Sequence, residues 1–347
     1  MKNKIQINNK WVGDGYPTFI IAEAGSNHNR DLAQAKQLID IAAEAGADAV
    51  KFQLFKAEKH YPQSVEKDGR KSRYQLTKEK ELPNEWIPQL VEQCNNRGIQ
   101  FMCSAFYCEA IDLLTPYVGA HKIASSEMNH YPLIQHAWGT QKPLIISVGM
   151  AEQSEVNDLV GMLDHLEGNN GYSLMHCTVS YPTDLKDVNL KVISSFKQRY
   201  DVPIGLSDHT TDPLVVPVAA VALGANIIEK HFTISRSLPG PDHSYALEPE
   251  ELRMMVKAVR DVEAALGSGE KKVTAVEQKL KNSLRRTIFA IKNINTGEKI
   301  TIDNVDILRA AEAGIGLDPK EYHKILGKKV VRDIKAFDLI NKISLDQ

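Results

Sequence analysis

Two lysines interrupt apolar runs in this sequence, Lys51 in Ala-Val-Lys-Phe-Gln and Lys122 in His-Lys-Ile-Ala-Ser. An ammonium group among apolar neighbours needs an anion to offset its lost hydration. With Ser125, Ser147 and Ser207, the two lysines suit a ligand that bears both phosphate and carboxylate. His209 and His231 lie at the ends of two other runs and are the metal candidates, with His28 in Ser26-Asn-His-Asn29 a third. Two imidazoles completed by carboxylate or water favour a transition metal over magnesium, and Mn²⁺, Fe²⁺, Co²⁺ or Zn²⁺ would each fit. Glu23 and Glu127 are carboxylates among these cations, so each is either a general base or one half of an internal ion pair.

These residues are far apart along the chain, and the fold must gather them. From Thr18 to roughly Leu266, apolar runs alternate with helical segments about eight times. The runs are Thr18–Ala24, Ala49–Gln53, Ile99–Ser104, His121–Ser125, Leu144–Val148, Tyr172–Thr178, Val202–Leu206 and Ile227–Phe232. Helical patterns such as Leu32–Glu44, Trp86–Arg97, Glu155–Leu166 and Pro213–Leu223 separate them. Such alternation means parallel strands with crossover helices, and eight units in about 250 residues predict a closed (β/α)₈ TIM barrel. The turn after the first run, Glu23-Ala-Gly-Ser-Asn-His28, carries no dinucleotide fingerprint, which argues against an open sheet. A barrel collects its chemistry at the C-terminal strand ends, where Glu23, Lys51, Gln53, Ser104, Lys122, Ser125, Glu127, Ser147, Tyr181, Ser207, Asp208, His209, Glu229, Lys230 and His231 fall.

The expected organisation is a barrel over 1–266, a polar Gly-bearing linker over 267–282 and a small, mostly-β module over 283–347. In the last, Thr287–Ile291, Val305–Leu308 and Gly327–Val331 read as short strands. A net charge of -2 excludes strong non-specific attraction to nucleic acid or anionic membrane. No apolar run approaches the ~18 residues of a membrane span. Met1 to Gly15 lacks the apolar stretch of a signal peptide, and the four cysteines include no close-spaced pair. A cytoplasmic, disulfide-free protein is expected.

The motifs Ile21-Ala-Glu-Ala-Gly-Ser-Asn-His28, Gly46-Ala-Asp-Ala-Val-Lys-Phe-Gln53, Lys122-Ile-Ala-Ser-Ser-Glu127, Gly205-Leu-Ser-Asp-His-Thr210, Glu229-Lys-His-Phe-Thr233 and Gly240-Pro-Asp-His243 stand in this order. In them the chain resembles the N-acetylneuraminate (sialic acid) synthase family, with its legionaminic and pseudaminic acid synthases. The resemblance spans nearly the whole chain. It implies a TIM barrel followed by a small antifreeze-like (SAF, β-clip) domain, and a domain-swapped homodimer. It implies condensation of phosphoenolpyruvate with an N-acylated amino hexose, either N-acetylmannosamine or a 2,4-diacetamido-trideoxyhexose. On that pattern His209 and His231 hold Mn²⁺, or another divalent metal such as Mg²⁺ or Co²⁺. Lys51, Lys122, Ser125, Ser147 and Ser207 match the phosphoenolpyruvate site, and Gln53, Glu127, Tyr181 and Asp242 match sugar contacts. Glu23 matches a catalytic acid, and Arg309 matches a tail arginine that reaches the acyl group. The chain departs from the family in reading Arg309-Ala-Ala rather than Arg-Pro-Gly, in Val179, and in Arg30 where glycine is usual. The rival readings are another phosphoenolpyruvate-dependent 3-deoxy-sugar-acid synthase or a metal-dependent sugar acid aldolase. An ice-interacting protein would leave the strand-end residues unexplained.

Overall fold

The computed structural model describes residues 3–63, 71–168 and 170–346. The chain divides into two compact units, Met1–Gly267 and Ser268–Gln347. The first opens with an antiparallel hairpin, β1 (Lys4–Ile7) and β2 (Lys10–Gly13), that the sequence reading passed over as polar. Its alternation was there to be read, because Ile5, Ile7 and Val12 are buried while Gln6 and Lys10 face water.

Eight parallel strands then close in chain order: β3 (Phe19–Gly25), β4 (Ala49–Leu54), β5 (Gln100–Ala105), β6 (His121–Ile123), β7 (Leu144–Ser147), β8 (Tyr172–Cys177), β9 (Ile204–Asp208) and β10 (Ile227–His231). The last, β10, pairs with both β9 and β3 and completes the barrel.

Alternate residues of these strands belong to two separate cores, as a two-residue period requires. Ile20, Ala22, Val50, Phe52 and Ile146 pack outward against the helices. Phe19, Ile21, Ala49, Met102, Ala120, Ile145, Met175 and Ile227 pack inward, and Ile5, Ile7 and Val12 of the hairpin plug this inner core from below. Each fully buried isoleucine contributes roughly 1.5–3 kcal/mol, so a charge at Ile7 would break the plug. Two residues further along each strand, the inward position becomes polar, which is where the chemistry begins.

The helices carry their own signals. Asp31 accepts hydrogen bonds from the backbone N–H groups of Ala33 and Gln34 and starts Leu32–Glu44, whose Ala35, Leu38, Ile39 and Ala42 form the buried stripe. Pro249–Leu266 begins with a proline and the reciprocal bonds of Glu248 and Glu251, and it stops at Gly267. No described helix is long and apolar enough to cross a membrane.

In the second unit β11 (Arg286–Ala290) pairs antiparallel with β12 (Val305–Arg309) over a core that includes Ile288, Ile294, Ile300, Val305 and Ile340. Two segments take a local form that their composition did not signal. Much of the segment read as linker, 267–282, is helical, because Thr274 and Glu277 form a capping box that starts Ala275–Leu284. Gly327–Val331 forms isolated bridges, Lys329 to Lys299 and Val330 to Leu345, in place of a continuous strand.

Candidate active site

The polar tier is built by one inward residue from each barrel strand: Glu23, Lys51, Ser104, Lys122, Ser147, Cys177, Ser207 and Glu229. Each stands two positions beyond an inward position of its strand, and all are buried. They line a cavity of about 100 Å³ together with Gln53, Ser125, Tyr181, His209 and His231.

Its anchor is an ion network. Lys51 Nζ lies 2.7 Å from Glu23 Oε2 and 3.5 Å from Glu229 Oε1, and it donates to Ser104 Oγ at 2.9 Å. Lys122 Nζ donates to Ser147 Oγ at 2.7 Å and sits 3.8 Å from Glu229 Oε2. Ser207 Oγ donates to Glu229 Oε1 at 3.2 Å, and Gln53 Nε2 donates to Glu23 Oε1 at 2.7 Å. One carboxylate, Glu229, is therefore shared between two ammonium groups. Burial would push Glu229 up, but Lys122 and Lys51, with His231 and His209, hold its pKa below the ordinary carboxylate value. Burial raises Glu23 to about 7 against the pull of Lys51, with Glu229 adding to the rise. Burial lowers Lys122, opposed by Glu229 and reinforced by Lys51. A dianion entering this tier would meet two ammonium groups balanced only by carboxylates, and one of those carboxylates titrates near neutrality.

His209 and His231 come together at the rim with ring centroids 5.5 Å apart. Burial lowers both to about 4, so both imidazoles are neutral and have a lone pair to give. His209 Nδ1–H donates to the Thr178 carbonyl at 2.8 Å, which fixes the tautomer and leaves Nε2 as the lone pair. His231 Nδ1 is buried with no hydrogen-bond partner. Gly25, at a bulge with φ +55, keeps the adjoining space clear, because a Cβ there would come 3.0 Å from Asp242 Oδ2 and 3.5 Å from His231 Cε1. This donor set fits a divalent transition metal. Among the described residues no group of three or more His, Cys, Asp or Glu is arranged to hold one, so water or substrate would complete the coordination. His28, the third candidate, is spent locally: its Nδ1 accepts from the Arg30 backbone N–H at 3.0 Å.

Three of the residues read from sequence are not walls of the cavity. Glu127 ends a 3₁₀ turn, Ser125–Glu127, beyond β6 and is half-buried, because the chain leaves the strand earlier than its composition suggested. Asp242 accepts hydrogen bonds from Ser26 Oγ at 3.1 Å and from Tyr245 OH at 3.1 Å. Arg309 closes β12 in the second unit and is exposed. Ser125 lies on the wall, and its Oγ accepts from Gly149 N–H at 3.0 Å. Arg30 adopts φ +57, the left-handed conformation that glycine accepts most readily. From sequence, Ser104 and Glu229 fall at strand ends at the mouth with no role assigned, and Cys177 reads as a buried structural thiol; all three line the tier. Glu229 had the signal of Lys51, a charge breaking an apolar run, while Ser104 and Cys177 had only their inward parity.

The fold is that of a TIM-barrel enzyme, with a buried tier of lysines and glutamates beside two imidazoles at the strand ends. The NeuB family model matches residues 38–271 and the SAF domain model matches residues 285–341, and the chain belongs to the NeuB family. It is 41% identical to the spore coat polysaccharide biosynthesis protein SpsE of Bacillus subtilis, over 95% of this chain and 94% of that relative. It is 39% identical to the N,N'-diacetyllegionaminic acid synthase of Legionella pneumophila, over 93% of each chain. The solved N-acetylneuraminic acid (sialic acid) synthetase of Leptospira borgpetersenii, in complex with citrate, superposes with a TM-score of 0.74 at 34% identity, over 81% of this chain and 96% of that one.

Proposed function

We propose that this chain condenses phosphoenolpyruvate with the open-chain aldehyde of an N-acylated amino hexose, giving a nonulosonic acid and inorganic phosphate. The observation that carries the reading is the sharing of Glu229 by Lys51 and Lys122 beside two neutral imidazoles. Lys51 and Lys122, with Ser125, Ser147 and Ser207, bind the phosphate and carboxylate and displace the internal carboxylate contacts. The enol carbon C3 attacks the aldehyde carbon, and Glu23, with its pKa near 7, gives a proton to the aldehyde oxygen. Positive charge left at C2 is captured by water, whose proton passes to the Glu23 carboxylate left ionised by the first step, or to Glu127 beyond the wall. Phosphate then leaves the tetrahedral carbon and the C2 ketone forms. Gln53, Tyr181 and Asp242 orient the sugar.

Synthases of this family are generally metal-dependent, and we assign Mn²⁺ to His209 and His231, where it would supply Lewis-acid polarisation of the aldehyde. We assign a domain-swapped homodimer in which Arg309 of one protomer serves the sugar bound by its partner. Exposed Ile302, Val331, Phe337 and Ile343 on the small second unit favour such a covered surface. Four free thiols accord with a reducing, cytoplasmic setting. The test is phosphate release from phosphoenolpyruvate that requires both an N-acylhexosamine and a divalent metal, with the nine-carbon acid identified by mass spectrometry. Release of pyruvate from a supplied nonulosonic acid, without phosphate chemistry, would favour the aldolase. Turnover with a sugar phosphate alone would favour the other 3-deoxy-sugar-acid synthases.

A further inference from the structure

The register of β4 on β5 sets Gln53 opposite Ser104 and Leu54 opposite Ala105, which makes Phe55 and Phe106 the next pair. Both continue the inward parity of Gln53 and Ser104, so they stand one step above the polar tier on the same side of the mouth. Their rings meet edge to face at 5.9 Å. His60, the last residue of the short helix Ala57–His60, closes on both, 6.1 Å from Phe55 and 5.2 Å from Phe106, and Tyr61 meets it edge to face at 4.8 Å. Phe55 and Phe106 are each 8% exposed, while His60 is half-buried and so offers the accessible part of the cluster. Burial holds the His60 pKa below its ordinary value against the nearby Glu127 charge. On the β8–β10 side, Tyr181 stacks on His209 at 4.2 Å.

This arrangement does not suit a sugar with hydroxyls all round. An aromatic face cannot replace the water lost from a hydroxyl, and burying that group unpaired costs binding. The same face gains by covering a methyl group, whether on a deoxy carbon or at the end of an acetamido group. N-Acetylmannosamine has hydroxyls at C4 and C6, where a 2,4-diacetamido-2,4,6-trideoxyhexose has an acetamido group and a methyl.

We propose that Phe55, His60 and Phe106 form an apolar seat on the β4–β5 side of the mouth that selects a 6-deoxyhexose carrying two N-acyl groups over N-acetylmannosamine. This inference rests on the synthase reading and names its substrate class. One methyl group in a fitted apolar site is worth roughly tenfold or more in kcat/KM, and two such groups differ between the sugars.

The test uses the full chain with Mn²⁺ and saturating phosphoenolpyruvate. Phosphate release is followed with N-acetylmannosamine and with the 2,4-diacetamido-2,4,6-trideoxyhexose in its manno and altro forms. Wild type should favour one diacetamido form by about a hundredfold in kcat/KM. His60→Asn, at a half-exposed position that keeps the fold, should cut that preference about tenfold, as should Phe106→Ser where it folds, with the KM for phosphoenolpyruvate unmoved. Preference for N-acetylmannosamine, equal rates with all sugars, or a His60→Asn loss shared by every sugar would overturn the seat and leave the synthase standing. No phosphate release with any of them would overturn the synthase reading itself.

Discussion

The Lys51 ammonium and the Glu23 carboxylate lie 2.7 Å apart with both side chains almost wholly removed from water. Lys51 also faces Glu229, so loss of the Glu23 charge would not leave it alone. Glu23→Gln should therefore fold normally, with Gln53 and Lys51 still in contact with the new amide. As the proton donor, however, Glu23 has no substitute, and kcat should fall by about 10²–10⁴. The sign of the pH dependence follows from burial, which raises Glu23 to about 7. The protonated, donating form is lost as pH rises through that value, so kcat should decline on the alkaline side with an apparent pKa near 7. A kcat–pH profile of wild type beside Glu23→Gln tests this. An unchanged alkaline limb in the variant would assign that limb to another group.

The two imidazoles make a separate prediction. His209→Ala or His231→Ala should abolish metal-dependent phosphate release, and a chelator should do the same to wild type, with Mn²⁺ restoring only the latter. Equilibrium dialysis against Mn²⁺ supplies a readout independent of turnover, and wild-type binding in both variants would remove the assignment. Gly25→Ala probes the same place by shape. Its Cβ would crowd Asp242 and His231, and its φ of +55 disfavours alanine, so a stability loss above about 1 kcal/mol should accompany weaker Mn²⁺ binding.

Arg309 can be tested through mixed dimers. Arg309→Ala should raise the KM of the sugar more than that of phosphoenolpyruvate. If it acts on the partner's site, mixing Arg309→Ala with His231→Ala should give, at low sugar concentration, more activity than the two variants give separately. Equal effects on both substrates, or no recovery after mixing, would argue against a role across the dimer.

Most of the barrel was legible because its signal is local. Ile, Val, Leu and Phe runs alternate with amphipathic stretches, and the breaks in those runs mark the strand ends where Lys51, Lys122 and Ser147 do meet. What escaped depends on neighbours. Glu127 was read as a strand end, yet β6 is only three residues long, and the following turn puts Glu127 outside the cavity wall. Ser104 falls at a strand end in the sequence, but only the pairing of β4 with β5 shows that Lys51 donates to it. The hairpin under the barrel carries its alternation in the sequence, but only the inner core shows what Ile5 and Ile7 pack against.

Lys230 separates Glu229 from His231 and faces away from both, into a buried network with no place in the chemistry. Its Nζ lies 2.6 Å from Asp208 Oδ2 and donates to Thr210 O, to Thr210 Oγ1 at 3.0 Å and to Asp212 O at 3.1 Å. Asp208 in turn accepts from Thr210 N–H at 2.8 Å. The network ties β10 to the loop after β9, and so ties the strand carrying His231 to the segment carrying His209. Lys230→Met would leave Asp208 buried and uncompensated, which should cost about 3–5 kcal/mol. Adding Asp208→Leu removes the stranded charge and should restore most of the stability, because two apolar side chains can replace a buried pair at little net cost. Mn²⁺ affinity should not return with it, since residues 209–212 would have lost the three contacts that Lys230 makes to Thr210 and Asp212. Denaturant unfolding and Mn²⁺ dialysis on the single and double variants separate the two effects. A double variant that binds Mn²⁺ as tightly as wild type would show that the network serves only to balance its own charges.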